Sequence, residues 1–163
     1  MGILNRKATS NLARSVAHRR EDNNRVRFLT EEEEKKLRDI IFEKKWTAHL
    51  PELDVAINTG LRKGSQYALR WDMVDWKSRE LHIPNTETKN GEPLHVPLND
   101  AAITALKVAF EAGGGKGRVF KSKKTGDPLE NGRHWFDDAI VLAKLRDFHW
   151  HDLRHTFASP VCG

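Results

Sequence analysis

The segment His151-Asp152-Leu153-Arg154-His155-Thr156-Phe157-Ala158, taken with Thr59-Gly60-Leu61-Arg62 upstream, decides how this chain is read. Arg62 follows a glycine turn, and Arg154 is flanked by His151 and His155. A guanidinium is planar and binds phosphate oxygens through two parallel hydrogen bonds. Two of them converging on one phosphate would stabilise the charge of a pentacoordinate phosphorus. Taken singly, such an arginine is more commonly a surface ion pair. Nothing in composition alone brings the two together.

Outward from these two stretches, the pattern is mostly helical. Thr30 and Glu33 have capping-box spacing, with Leu29 placed to staple the entry and Leu37, Ile40 and Ile41 as the buried stripe. Four consecutive glutamates, 31–34, suit the positive end of that helix. Further helices are expected over Pro51–Asn58, Lys63–Leu69, Asp100–Phe110, Asn131–Leu145 and Asp152–Ser159. In Asn131–Leu145, Trp135, Phe136, Ala139, Ile140 and Leu142 are available for burial. Strands are expected over Trp71–Trp76, Glu80–Ile83 and Leu94–Pro97, with a turn at Asp75-Trp76-Lys77-Ser78. Asn90-Gly91 is a strong hairpin signal and puts Lys89 at an exposed tip. The fold class is therefore α+β: helices around a small three-stranded antiparallel sheet.

Charge divides the chain in two. Residues 1–27 carry seven Lys/Arg against two acids, whereas residues 28–163 carry 21 of each sign. The first stretch reads as a basic linker or arm, with a short helix over Asn11–Arg20, and the second as one domain. Such an arm either adds salt-dependent affinity for DNA or is a solvated linker; charge does not choose between them. There is no long apolar run and no signal-peptide core, so a membrane span and secretion are not expected. The one cysteine, Cys162, excludes an internal disulfide and a cysteine-based zinc site, and a reducing cytoplasm is the simple expectation.

Three ordered motifs resemble the tyrosine recombinase, or phage integrase, family. They are Thr59-Gly60-Leu61-Arg62-Lys63-Gly64 with Leu69–Asp75, then Thr88–Leu98 around Lys89, then His151–Ala158. Together they cover roughly residues 28–159. The resemblance implies the catalytic domain of a DNA strand transferase acting in site-specific recombination or integration. It implies that Arg62 and Arg154 grip the scissile phosphate and that His151 lies beside it as a hydrogen-bond donor or proton-transfer group. Lys89 protonates the leaving 5′-hydroxyl as general acid. Arg62, Lys63, Lys89, Arg154 and His155 are the implied DNA contacts, His155 supporting the fold or the phosphate pocket. No metal or nucleotide cofactor is implied, because a phosphotyrosine conserves the phosphodiester bond.

Two departures stand against that pattern. An acidic residue three after the first arginine is usual in the family; here it is Ser65. The nucleophilic tyrosine of the family lies downstream of its second box. The only tyrosine here is Tyr67, which reads as a packing residue beside Arg62, so no nucleophile is assigned. The expectation is a catalytic domain whose C-terminal helices are missing and which binds duplex DNA but is inactive alone. Exposed apolar surface would then favour self-association or docking with a full-length recombinase. A non-catalytic DNA-binding or regulatory module, a degenerate remnant of a mobile-element integrase, and a histidine-dependent phosphodiesterase remain as alternatives. His151 and His155 have i, i+4 metal-ligand spacing but no third ligand at a set distance. Lys121-Ser122-Lys123-Lys124 is either a DNA-touching loop or a solvated one, and the five tryptophans are more often core than base-stacking platforms.

Overall fold

The computed structural model describes residues 27–88, 91–122, 125, 129 and 133–158. The basic arm up to residue 26, Lys89 and most of the 123–132 connector lie outside the described residues. Helix α1 spans Glu31–Glu43 and begins as its sequence predicts. The Thr30 hydroxyl accepts from the Glu33 amide, and the Glu33 carboxylate accepts from the Thr30 amide, both at 3.2 Å. Arg27 closes the same corner, donating to the two Glu33 oxygens at 2.8 and 2.5 Å. Leu37 and Ile41 are fully buried, and Ile40 packs against them from the edge.

The Arg27 hydrogen bonds, followed by those from Thr30, hold the Glu33 carboxyl below the usual glutamate range. The sign is that of a depressed carboxylate: its stabilisation is present above about pH 4.3 and is lost as pH falls through the lowered folded value. Solvent screening keeps it to about 0.5–1 kcal/mol. Glu33→Gln is therefore expected to melt slightly earlier at neutral pH, with the two melting curves converging in acid. A constant gap across the whole pH range would contradict this account.

Helix α2, Leu50–Thr59, starts with Pro51 in its first turn and stops at Gly60, which takes the left-handed conformation (φ 60°). It is the central helix, buried along most of its length, and packs against α4 (Asp100–Gly113) and α6 (Asp152–Phe157). Asn99 caps α4 by accepting from the Ala102 amide at 2.9 Å. It also donates to Asn58 at 2.8 Å, fastening α4 to the end of α2. Helix α3, Lys63–Ala68, follows the glycine turn directly.

Strands β1 (Val74–Asp75), β2 (Glu80–Ile83) and β3 (Leu94–Pro97) form an antiparallel sheet in that order. The first strand is shorter than its sequence suggests, because Trp71–Met73 is a 3-10 turn. Backbone pairing across Leu69–Trp71 captures this segment instead: Trp71 donates to Gly117 at 3.0 Å, and Val119 donates to Leu69 at 2.9 Å. Trp71 then packs edge-on to Phe110, with ring centres 5.1 Å apart. In β2 the alternation is clean, with Leu81 and Ile83 inward and Glu80 and His82 outward.

The Asp75 carboxylate closes the first turn by accepting from the Lys77 and Ser78 amides. The second turn is longer than a two-residue hairpin. Ile83 pairs with Leu94, and the intervening chain includes a 3-10 turn at Asn85–Glu87. Helix α5, Arg133–Leu142, buries Trp135, Phe136, Ala139 and Ile140 as expected. Leu142 is exposed instead, since it falls at the edge of the arc those residues define. Trp71, Trp135 and Trp150 are core, whereas Trp76 is partly exposed. Among the described residues, no helix is long and apolar enough to cross a membrane.

Candidate functional site

Arg62 occupies the N-cap position of α3 in extended conformation, exposed, immediately after the glycine turn that ends α2. Its carbonyl accepts from the Gln66 amide at 2.9 Å, and its guanidinium makes no hydrogen bond among the described residues. Arg154 comes from α6, yet its Nη1 donates to the Gly60 carbonyl, 94 positions earlier in the sequence, at 2.8 Å. One hydrogen bond thus ties the second arginine to the backbone two residues before the first. The same turn is sealed by packing. A Cβ on Gly60 would lie 2.6 Å from Phe157 Cδ1, so the α6 aromatic sits directly on the glycine.

Helix α6 is fixed from two further sides. Thr156, fully buried, accepts from the Leu29 amide at 2.9 Å and donates to the Asp152 carbonyl at 3.1 Å. The Asp152 carboxylate accepts from the His149 amide at 2.7 Å and orders the turn that presents His151. His151 is exposed, His155 half-buried, and their rings meet edge-to-face at 5.3 Å. The Lys63 ammonium lies over the rings of Trp150 and Tyr67, at 5.5 and 6.0 Å. Ser65 is half-buried on α3.

A buried polar network joins α3 to the first turn of α2. Glu52 accepts from the Tyr67 hydroxyl at 2.7 Å and from the Trp135 indole N–H at 3.2 Å, and its other oxygen lies 2.8 Å from His49 Nδ1. Gln66 donates to the Glu52 carbonyl at 2.7 Å. Two residues of α3 are therefore bonded to α2 at one point. Burial, then the Glu52 carboxylate, pushes the Tyr67 phenol well above its ordinary range. Tyr67 is a buried, protonated hydrogen-bond donor, in keeping with its reading as a packing residue.

The Phage integrase family matches residues 27–161 of this sequence. The chain belongs to that family. It is 33% identical to the Shufflon-specific DNA recombinase of Escherichia coli over 135 residues, covering 80% of this chain and 32% of that protein. It is 30% identical to the Integrase of Salmonella phage P22 over 149 residues, covering 84% and 37% respectively. The chain thus spans about a third of the length of these curated relatives. Among solved structures, it resembles the Tn1549 transposon integrase in complex with circular intermediate DNA, at a TM-score of 0.66 and 18% identity over 86% of this chain and 54% of that one. XerA recombinase gives a TM-score of 0.66 at 21% identity, over 83% and 50%. At those identities the likeness is one of fold: an integrase catalytic domain, mostly helical with a three-stranded sheet.

Within this integrase fold, the sequence motifs locate Arg62, His151, Arg154 and His155 but not what holds them. Glu52 was not singled out, although an acidic residue between Pro51 and Leu53 in the largely apolar helix Leu50–Thr59, which also carries Asp54, is the signal that finds it. A charged side chain in a helix buried nearly all round must have partners.

Proposed function

We propose that this chain is the phosphate-gripping part of a site-specific DNA recombinase of the integrase family. Arg62 and Arg154 clamp a backbone phosphate of duplex DNA. His151 donates to it or transfers a proton, and His155 supports the pocket from the next turn. Lys89, between β2 and β3, serves as general acid toward the leaving 5′-hydroxyl. Lys63 contributes positive charge from its seat over Trp150. The observation that carries this reading is the Arg154–Gly60 hydrogen bond, which draws α6 against the turn bearing Arg62. One guanidinium bonded to that turn and a second carried on the residue two positions later supply the positive charge that a pentacoordinate phosphorus centre requires.

The same reading has the 163-residue polypeptide hold DNA without cutting it. Covalent strand transfer needs an attacking group, and the one tyrosine in the sequence, Tyr67, is buried and engaged with Glu52. A recombinase of the same family is the expected partner, and a mixture of the two that yields no new phosphotyrosyl product would remove that partnership.

The direct test is fluorescence anisotropy of a labelled duplex across a salt series, with the intact chain and with Arg62→Ala plus Arg154→Ala. Binding is expected to weaken with salt, and the double substitution to weaken it by about tenfold or more and flatten the salt slope by about two phosphate contacts. Binding indifferent to both substitutions would assign DNA contact to the basic arm and remove the phosphate pocket.

A further inference from the structure

Glu80, His82 and His95 form a cluster on the outer face of the sheet. Glu80 and His82 are two residues apart on β2 and so share a face. His95 is the direct cross-strand partner of His82. Their rings lie with centres 4.6 Å apart. Glu80 Oε2 is 3.3 Å from His82 Nε2 and 3.9 Å from His95 Nδ1. One potential ligand atom from each of the three residues lies within 4.8 Å of the others. Beside them Asp75, the cross-strand partner of Glu80, adds a second carboxylate to the same face.

We propose that Glu80, His82 and His95 form a binding site for a divalent transition-metal ion of the zinc class, with water completing the coordination. The spacing is what such an ion needs. Metal–nitrogen and metal–oxygen bonds of about 2.0–2.2 Å place tetrahedral ligands about 3.3–3.5 Å apart. One measured separation already has that value, and the others close with a shift of about 1 Å in exposed side chains, which rotamer freedom supplies. Two imidazoles and one carboxylate select zinc, nickel or copper over magnesium or calcium, which take oxygen ligands. The ion would also bridge β2 to β3, the strands that frame the Lys89 segment, and so pin their pairing. The site stands independently of the proposed DNA contact.

The experiment is calorimetric titration of zinc into the untagged, chelator-treated 163-residue chain, repeated with His82→Ala, His95→Ala and Glu80→Gln. The expected result is saturation at one ion per chain and binding at least about tenfold weaker in each histidine variant, a factor worth about 1.4 kcal/mol. All three residues are solvent-facing, so the variants are expected to keep the parent melting temperature. Zinc-dependent shifts of the His82 and His95 imidazole signals in the unmodified chain give a reading that needs no substitution. His151→Ala with His155→Ala is expected to retain the site. The proposal is overturned by no saturable binding up to about 100 µM zinc (a dissociation constant weaker than about −5.5 kcal/mol in binding energy), by unchanged affinity in the His82 and His95 variants, or by loss of binding in the His151 and His155 pair.

Discussion

Replacing Glu52 with alanine is expected to lower the melting temperature by about 10 °C. The carboxylate is buried and accepts from Tyr67 and Trp135, with His49 against its other oxygen. Alanine removes the acceptor and leaves a phenol and an indole N–H without partners inside the core. Each stranded group costs about 1–3 kcal/mol, and the vacated volume adds to that, so about 3–5 kcal/mol is expected in total. For a domain of this size each kcal/mol shifts melting by about 2–4 °C. Glu52→Gln preserves the packing and one acceptor oxygen, and its loss is expected to be smaller. Thermal unfolding by circular dichroism measures both.

The sole tyrosine gives a second readout of the same network. Because burial and Glu52 raise the Tyr67 phenol, its contribution to stability is present below the ordinary tyrosine value of about 10 and is lost as pH rises beyond it. Tyrosinate absorbance is therefore expected to appear together with alkaline unfolding. A melting shift under about 2 °C for Glu52→Ala, within the range of ordinary surface substitutions, would sink the account.

Gly60→Ala is the second large effect, with an expected cost of about 2–5 kcal/mol from two separable causes. The residue sits at φ 60°, where a side chain costs about 1–2 kcal/mol. Its Cβ would also stand 2.6 Å from Phe157 Cδ1, an overlap that forces α6 to move, at about 1–3 kcal/mol. The double variant Gly60→Ala with Phe157→Ala relieves the overlap but not the backbone strain. A double-mutant cycle should accordingly show the two changes to be less damaging together than their sum. Strict additivity would mean that Phe157 does not bear on the glycine. Since Gly60 also provides the carbonyl that Arg154 grips, the single variant is expected to loosen that arginine as well.

Local chemistry made much of the fold legible in advance. Thr30 and Glu33 announce the start of α1 because a capping box is satisfied within four residues. Gly60 and Gly114 end α2 and α4 because each adopts the left-handed conformation that favours glycine. The turn at Asp75 was readable for the same reason: its carboxylate bonds to amides two and three residues on. Where reading failed, a distant partner intervened. Trp71–Met73 carries strand-like residues, but pairing with Gly117–Val119 and packing on Phe110 fold it into a 3-10 turn. Leu142 has helix-core chemistry, yet the orientation of α5 leaves it at the boundary of the buried arc.

The candidate site divides along the same line. The sequence by itself determined the family and the helical class with its small sheet, and it nominated Arg62, Lys63, Lys89, His151, Arg154 and His155 for the site, because each motif is a short run of neighbours. Only the tertiary structure decided that Arg154 bonds to the turn before Arg62, that Phe157 seals that turn, and that Glu52, at the other end of α2, gathers Tyr67, Trp135 and His49. It also decided that His82 faces His95 across two strands, with Glu80 beside them. These contacts join residues far apart along the chain. Their distances are set by how the helices and strands pack, and no local propensity encodes them.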